Sequence, residues 1–239
     1  MFEPLDPALV LGAYSVGVFP MADSRDAATV YWVEPRRRAI MPLDRFHLSR
    51  SLRKVVVADR FRVTADQAFG EVVRLCAQSA DDRPETWINR SIEQCFQRLH
   101  DMGHAHSVEC WAEDRLVGGL YGLAIGRAFF GESMVSRVAN ASKVAIATLV
   151  ARLRVGGYTL LDCQFMTRHL ASLGATEISR RDYMALLAAA IGSSAGSSSE
   201  VSADGDFAAL DRLAGDGDAA GAAGAVPGKL IAQLLVQTS

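Results

Sequence analysis

The sequence lacks several features that would assign it to a compartment at once. Its 239 residues contain no uninterrupted apolar run of membrane-spanning length, which is about 18 residues or more. The first residues carry neither the basic region nor the apolar stretch of a secretory signal, so we expect a cytoplasmic protein that does not cross a membrane. Half of the residues are hydrophobic, and a chain of this length can bury a large core.

Cysteine is scarce and scattered. The four cysteines form no CxxC pair, which favours reduced thiols packed as small hydrophobic side chains. Cys110 with His104 and His106 is a conceivable zinc site, but no second pair of ligands follows at the spacing of a zinc finger. We therefore predict no metal site.

Charge of either sign is nearly balanced over the whole chain, with a net charge of −2. The distribution is uneven: residues 35–62 carry nine lysines and arginines against two acids, whereas residues 193–239 carry six acids against two basic residues. The net charge therefore conceals a basic stretch at residues 35–62, called the basic front below, because acidic residues near the C-terminus offset it. The basic front is a candidate surface for an acidic partner.

The order of the predicted elements is typical of an α+β fold. A short helix over residues 7–16 and a strand near residues 30–33 form a small N-terminal domain, which we place at residues 1–38. Residues 39–191 are predicted to form a mixed sheet flanked by helices, with three consecutive strands over residues 106–134. This second domain looks like an acetyltransferase-type (GNAT-type) catalytic domain.

The composition changes at residue 192. A Gly/Ser-rich linker precedes an Ala/Gly/Asp-rich stretch, so residues 192–239 are predicted to be a flexible, low-complexity acidic tail. A small apolar island lies at Phe207, Leu210 and Leu213. Apolar residues then recur at helical spacing from Leu230 to Leu235, which favours a short amphipathic segment docked on the protein's own core over a peptide that binds a partner.

A lone carboxylate interrupts an apolar strand. Glu132 shares a strand face with Phe130 and Met134. A carboxylate among apolar side chains is costly unless it is hydrogen-bonded, so Glu132 is either a satisfied buried group or a working residue in an apolar pocket. If Phe129 and Glu132 line the same site, the strand must bulge or turn at Gly131.

Two further polar residues lie in a second apolar strand. Asp162 and Gln164 are two residues apart and therefore share a face of the strand. They either form a buried network or converge with Glu132 at a reaction centre, where such groups orient an attacking amine or accept its proton. Cys163 is predicted to point to the opposite face, which argues against a covalent thioacyl intermediate.

Seven short blocks carry the strongest functional signal. They are Thr86–Ile88, His104–Ser107, Leu116–Gly122, Phe129–Met134, Asn140–Lys143, Asp162–Gln164 and Ala171–Ala175. Their order and spacing over residues 10–190 resemble the leucyl/phenylalanyl-tRNA–protein transferase family. The resemblance implies an aminoacyltransferase that moves leucine or phenylalanine, and in some members methionine, from charged tRNA to the α-amino group of a protein that begins with lysine or arginine.

The resemblance also implies a fate for the product. The new N-terminus is destabilising and marks the protein for degradation through the N-degron pathway. The reaction is expected to need no metal or diffusible cofactor, since an aminoacyl ester is already activated and its attack requires a neutral amine. We expect a cytoplasmic monomer.

The resemblance assigns residues to the reaction centre and to the donor pocket. Glu132, Asp162 and Gln164, called the polar trio below, are the candidate catalytic residues, and whether one is a general base or all only position the reactants stays open. The candidate pocket for the donor side chain consists of Leu120, Phe129, Met134, Ile146, Leu149, Leu153 and Leu161. Each of these is also a candidate core residue, which is the interpretation that the pattern alone favours, and the choice between leucine and phenylalanine stays open.

Two positions are matched to the terminal adenosine of the tRNA, Trp87 and Met21. Trp87 can stack on the base. Met21 replaces the tryptophan that many members carry after Pro20, and it offers no aromatic face. The basic front supplies candidate contacts to the tRNA backbone, although an ordinary solvated face is the alternative. These candidates are Arg36, Arg37, Arg38, Arg50, Arg53 and Lys54.

Two other functions fit the same fold. A module that binds tRNA or basic N-termini without transfer is expected to lack the polar trio, which is complete here. An acyl-CoA-dependent N-acyltransferase needs a glycine-rich phosphate-binding turn before the helix predicted to start at Ala141, and residues 135–142 contain no glycine.

Overall fold

The computed structural model describes residues 4–78, 86–192, 204–215 and 224–236, which form nine strands and nine α-helices. The strands are β1 (Phe19–Met21), β2 (Tyr31–Val33), β3 (Arg37–Ile40), β4 (Arg62–Ala65), β5 (Ala105–Ala112), β6 (Arg115–Ile125), β7 (Ala128–Ser136), β8 (Leu160–Gln164) and β9 (Thr176–Ser179). The helices are α1 (Pro7–Ser15), α2 (Arg50–Val57), α3 (Phe69–Cys76), α4 (Arg90–Asp101), α5 (Ala141–Val155), α6 (Arg168–Ser172), α7 (Arg180–Ile191), α8 (Ala209–Gly215) and α9 (Gly228–Val236). Within these ranges no helix has both the length and the apolar character needed to cross a membrane.

Polar caps and glycines define several helix ends. Asp6, Ser49 and Asn89 accept backbone hydrogen bonds at the starts of α1, α2 and α4. Gly17 and Gly103 follow α1 and α4 with φ values of 80° and 81°, a backbone region that favours glycine. Local sequence therefore explains where these helices begin and end.

Seven strands form one sheet in the order β4-β5-β6-β7-β8-β3-β9. β7 and β8 run parallel and are connected by α5, and the other five neighbouring pairs of the described sheet are antiparallel. β1 and β2 form a separate two-stranded sheet. The predicted mixed sheet with flanking helices in an α+β protein is confirmed.

Apolar side chains fill both faces of the seven-stranded sheet. On one face α2, α5, α8 and α9 cover a core that includes Leu149. On the other face α1, α3, α4 and α7 cover a core that includes Phe96. Phe129 and Phe130 are neighbours on β7 and enter the two different cores, as strand alternation requires.

β3 brings the N-terminal part of the chain into the main sheet. It lies between β8 and β9, and its Ala39 and Ile40 pair with Gln164 and Asp162. The strand begins at Arg37, so the predicted boundary at residue 38 falls inside it. The chain therefore reaches the strand that carries two members of the polar trio directly from the small two-stranded sheet.

The C-terminal part of the chain is not a uniformly flexible tail. α8 and α9 are packed on the protein, and Leu210, Ile231 and Leu235 are buried in the core beside α5. The prediction of a flexible tail is therefore wrong for these segments, because the apolar island and the helically spaced leucines bury enough surface to order them. Residues 193–203, 216–223 and 237–239, where the rest of the tail prediction falls, lie outside the described residues.

Two arginines of α5 hold the C-terminal segments. Arg152 is buried. It donates hydrogen bonds to both carboxylate oxygens of Asp211 at 2.6 Å and to the carbonyl oxygen of Phe207 at 2.7 Å. Its guanidinium carbon lies 4.9 Å from the centroid of the Phe207 ring. Arg154 donates to the carbonyl oxygen of Leu234 at 2.8 Å. The predicted docking of the amphipathic segment on the protein's own core is thus what the structure shows.

Candidate functional site

The candidate site lies where two parallel strands part. β7 and β8 pair at three positions, of which the last is Phe130 opposite Asp162. Beyond that point residues of both strands line a cavity of about 630 Å³. This volume lies in the usual range for small-molecule sites. The sheet itself therefore opens the cavity, with α5 and α6 supplying further walls.

A β-bulge in β7 places Glu132 in the cavity wall. The register between β6 and β7 shifts at Gly122, which lies opposite Gly131, and Glu132 becomes an extra residue. A Cβ atom on Gly122 would lie 2.3 Å from the carbonyl oxygen of Phe130, so glycine is required there. The predicted bulge is confirmed. Phe129 nevertheless stays in the core, and Glu132 lines the cavity without it.

Glu132 is only partly satisfied by its neighbours. Its Oε2 accepts a hydrogen bond from Nε2 of Gln164 at 3.0 Å. Among the described residues, neither Oε1 of Glu132 nor the hydroxyl of Tyr14 has a hydrogen bond of normal geometry, although both atoms are buried. Burial raises the pKa of Tyr14, and the nearby Glu132 carboxylate raises this pKa further.

Burial gives Glu132 an unusual protonation equilibrium. Removal of the carboxylate from water raises the pKa of Glu132 to about 8. Tyr14 and Gln164 favour the charged form, and so does the more distant Arg38, but together they offset only part of the effect of burial. Glu132 therefore retains a proton at pH values where an ordinary glutamate has lost it.

Asp162 is saturated with donors. Its carboxylate accepts from Nε and Nη2 of Arg38 at 2.9 and 2.6 Å, from the Tyr183 hydroxyl at 2.8 Å and from the backbone N–H of Gln164 at 2.8 Å. Asp162 is fully buried and does not line the cavity. Its oxygens are turned toward Arg38 and not toward the cavity, where the prediction had placed them. It reaches the site through Gln164.

Gln164 connects the two carboxylates. Its φ of 60° lies in the left-handed region, which is uncommon for a residue other than glycine. Its backbone N–H bonds to Asp162 and its side chain to Glu132, and it lines the cavity. The structure thus brings the polar trio together in one hydrogen-bonded chain. Two of its members, Glu132 and Gln164, face the cavity.

Cys163 lines the cavity, whereas the sequence predicted the opposite face. The pairing of β3 with β8 shifts so that Cys163 is an extra residue between Asp162 and Gln164. A simple alternation therefore fails at this position. Burial raises the pKa of the Cys163 thiol, so it stays protonated and remains a poor nucleophile.

An apolar wall adjoins the polar trio. Five of the seven residues predicted for the donor pocket line the cavity. They are Leu120, Met134, Ile146, Leu149 and Leu161. Phe129 and Leu153 do not line it and are both fully buried. Phe129 stacks on Phe207 with 5.7 Å between ring centroids, because this part of β7 precedes the bulge and faces the core.

Family models decide the identity of the chain. A model described as leucyl/phenylalanyl-tRNA protein transferase matches residues 40–188, and a model for the N-terminal domain of the same family matches residues 3–36. This chain belongs to the leucyl/phenylalanyl-tRNA protein transferase family. The resemblance predicted from the seven blocks is confirmed.

Relatives bearing the family name cover most of the chain. The transferase from Rhizorhabdus wittichii is 60% identical over 247 residues, which cover 99% of this chain and 100% of the relative. The transferase from Phenylobacterium zucineum is 50% identical over 230 residues, 96% of each chain. The match to the crystal structure of FemX covers 72% of this chain and 66% of the FemX chain, with a TM-score of 0.47 and 12% identity. This similarity is too low to support a conclusion about fold or function.

Arg38 is not a surface contact of this transferase-family protein, although it was predicted to bind the tRNA backbone. Its guanidinium is buried between the rings of Phe19 and Tyr183, 4.6 and 4.7 Å from their centroids. Burial by itself would lower the pKa of Arg38, but the hydrogen bonds and charge of Asp162 raise it above its ordinary value. Arg38 is the permanent counterion of Asp162.

The other residues that were predicted to contact the tRNA backbone have exposed side chains. They are Arg36, Arg37, Arg50, Arg53 and Lys54. Arg37 pairs with Glu177 at 2.5 Å. None of the described residues of α2, which carries the last three, lines the cavity. Their role in tRNA binding stays a prediction.

The rim of the cavity contains one of the two residues matched to the adenosine. Trp87 lines the cavity and Met21 does not. Sequence reasoning missed Tyr14 and Tyr183, whose hydroxyls lie beside the two carboxylates, since each reads as an ordinary apolar position of a helix. It also missed His169, which lines the cavity and whose pKa is lowered by burial and by Lys143.

Proposed function

We propose that this chain transfers leucine or phenylalanine, with methionine as a further donor, from aminoacyl-tRNA to the α-amino group of proteins that begin with lysine or arginine. Membership of the family supports an aminoacyltransferase that acts on protein N-termini. One observation carries the proposal: the apolar wall of Met134, Ile146 and Leu161 meets the polar pair Glu132 and Gln164 in a single cavity. The cavity can therefore hold an apolar aminoacyl group next to an amine.

The donor side chain would occupy the apolar part of the cavity. Leucine, phenylalanine and methionine share an unbranched Cβ and an apolar body, and the wall residues Leu120, Ile146 and Leu149 are aliphatic. One methylene in such a pocket discriminates by about 1–3 kcal/mol. Mixed donor specificity is therefore expected, with charged and polar side chains excluded because the wall offers them no partner.

Glu132 would receive the α-amino group of the acceptor. Free α-amino groups have pKa values of about 7.7–8.0, close to the value of about 8 for Glu132. A proton can therefore move between the amine and the carboxylate at little cost, which makes the neutral nucleophile available. The amine nitrogen then attacks the ester carbonyl carbon, the bond to the ribose oxygen breaks, and that oxygen takes the proton released by the nitrogen.

Asp162 would act as a positioning residue. Its bonds to Arg38 and to the Gln164 backbone fix the left-handed turn from which the Gln164 side chain reaches Glu132. Fixed geometry alone can supply about 7–11 kcal/mol of rate acceleration. Neither metal nor cofactor chemistry is needed for this assignment, since the ester is already activated.

Transfer of label tests the proposal. Purified protein is mixed with radiolabelled leucyl- or phenylalanyl-tRNA and a protein with N-terminal arginine, and acid-stable label is counted. Label on the acceptor is the expected result. Binding of tRNA with no label would favour the binding module, and label that requires acetyl-CoA would favour the N-acyltransferase. Asp162→Ala is expected to lose transfer while it still binds tRNA, and near-normal transfer would contradict its positioning role.

The wider assignments follow from the same proposal. The fold would be of the acetyltransferase type, with an N-terminal domain over residues 1–38 and a catalytic domain over residues 39–191. The two family models, which meet between residues 36 and 40, support this division. The enzyme would act as a cytoplasmic monomer, and its products would enter the N-degron pathway.

A further inference from the structure

Tyr31 is an exposed aromatic residue outside the network described above. It lies on β2 and exposes 45% of its surface. In the two-stranded sheet it is directly opposite Met21 on β1. Residues that are directly opposite in an antiparallel pair project from the same face, so Tyr31 and Met21 are cross-strand neighbours on one face of the small sheet.

β1 runs between two aromatic residues that line the cavity. At its start Phe19 contacts Phe165 edge-on, with 5.7 Å between ring centroids. Just after its end the backbone N–H of Ala22 donates to the carbonyl oxygen of Trp87 at 3.1 Å. Phe165 and Trp87 both line the cavity. The last residue of β1, and Tyr31 opposite it, therefore lie beside the cavity mouth.

Hydrogen bonds fix this small sheet to the segment that carries Trp87. Nδ2 of Asn89 donates to the carbonyl oxygen of Ala27 at 3.0 Å, and Arg25 donates to the carbonyl oxygen of Ile88 at 3.1 Å. Both hydrogen bonds therefore join the loop between β1 and β2 to residues 88–89. These bonds set the position of the small sheet, and with it the backbone of Tyr31, relative to the segment that carries Trp87.

We propose that Tyr31 stacks on the terminal adenine of the aminoacyl-tRNA, with Met21 as an apolar neighbour. The inference rests on the proposed function. An aminoacyl group that fills the apolar wall leaves its esterified nucleotide at the cavity mouth, where Trp87 and Tyr31 offer aromatic faces. Stacking on such faces recognises a base through its π-surface. The aromatic face that Met21 does not offer is supplied from the neighbouring strand.

Affinity for a minimal donor analogue tests the inference. The probe is adenosine that carries phenylalanine through a 3′-amide, which the enzyme cannot transfer, and binding is measured by calorimetry. Tyr31→Ala is expected to weaken binding by about 5-fold or more, and Tyr31→Phe to bind like the parent. Met21→Trp added to Tyr31→Ala is expected to restore most of the affinity, because a ring returns to the same face.

Trp32 provides the matched control. It is the adjacent aromatic of β2, exposes 38% of its surface, and pairs with Pro20 on the opposite face of the small sheet. Trp32→Ala is expected to bind the analogue normally. Equal binding by Tyr31→Ala and the parent protein would overturn the inference, and so would an equal loss in Tyr31→Ala and Tyr31→Phe, which would assign the effect to the hydroxyl.

Two measurements separate the possible failures. Thermal midpoints close to that of the parent protein show that a loss of affinity is not a loss of folding, as expected for a half-exposed side chain. If the parent protein transfers label from aminoacyl-tRNA while Tyr31→Ala binds the analogue unchanged, the stacking role falls and the proposed function stands. If the parent neither binds the analogue nor transfers label, the proposed function falls as well.

Discussion

Asp162 and Glu132 are two buried carboxylates joined by one glutamine, and they have opposite surroundings. Asp162 accepts hydrogen bonds from the Arg38 guanidinium, the Tyr183 hydroxyl and the Gln164 backbone, and it lies away from the cavity. Glu132 accepts one hydrogen bond of normal geometry, from the Gln164 side chain, and lines the cavity.

The difference distinguishes a carboxylate with a structural role, Asp162, from one with a functional role, Glu132. A buried charge that has its full set of partners holds the backbone in place, and removal of a partner is expensive. A buried carboxylate with a free oxygen keeps its proton and can bind a group that brings a charge or a hydrogen bond into the cavity. The sequence pattern alone treats the two acids alike, since each is a lone carboxylate in an apolar strand.

The largest effect is expected on the side of Asp162. Arg38→Met leaves a carboxylate buried without its counterion, so the free energy of unfolding should fall by about 3–5 kcal/mol. Urea unfolding followed by circular dichroism measures this. Arg37→Met, at the exposed neighbouring position, should change it by less than about 0.5 kcal/mol. If Arg38→Met does not fold, Arg38→Met/Asp162→Leu should recover the folded state. Equal effects of the two single variants would contradict the comparison.

A pH-dependent effect is expected on the side of Glu132. The folded protein holds the Glu132 proton up to a pKa of about 8, whereas the unfolded chain releases it near its ordinary value of 4.5. This stabilisation is complete below pH 4.5 and is lost as the pH rises through 8. Relative to Glu132→Gln, the parent protein should lose about 2 kcal/mol of unfolding free energy between pH 6 and pH 8. Parallel stability curves for the two proteins would show that Glu132 is ionised throughout.

Two tyrosines, Tyr183 beside Asp162 and Tyr14 beside Glu132, extend the comparison to smaller changes in unfolding free energy. Tyr183→Phe removes a hydrogen bond to a charged carboxylate, so a loss of about 1.5 kcal/mol in unfolding free energy is expected by urea titration. The pKa of Tyr183 is raised by burial and by Asp162, so the hydroxyl keeps its proton over the accessible pH range.

The smallest effect is expected for Tyr14→Phe. The Tyr14 hydroxyl is buried without a hydrogen bond of normal geometry among the described residues, so its removal should change the unfolding free energy by less than about 1 kcal/mol. The same urea titration measures it. A loss larger than that of Tyr183→Phe would mean that Tyr14 and Glu132 form a strong hydrogen bond, and the contrast between the two carboxylates would then fail.

Some of the site was predictable because its signals are local. The three polar residues stand out in apolar strands, and the glycine beside Glu132 marked the bulge. Strand alternation alone does not bring the polar trio together, because Glu132 and Cys163 are extra residues in their strands. Arg38 was not predictable: three consecutive arginines look alike in sequence, and the partner that distinguishes Arg38 lies 124 residues away. Composition also concealed α8 and α9, because the abundant alanine and glycine around them dilute the few leucines that become buried.

The packing of α8 on α5 also has a consequence for how the chain folds. Arg152 finds its partners in Phe207 and Asp211, 55 and 59 residues later, and Asp59 binds the backbone of Gly228 across 169 residues. Contacts between such distant parts of the chain slow folding. One face of the core therefore closes only after the ribosome has made α8 and α9, and a nascent chain stopped before residue 204 would present an unsealed apolar surface to chaperones.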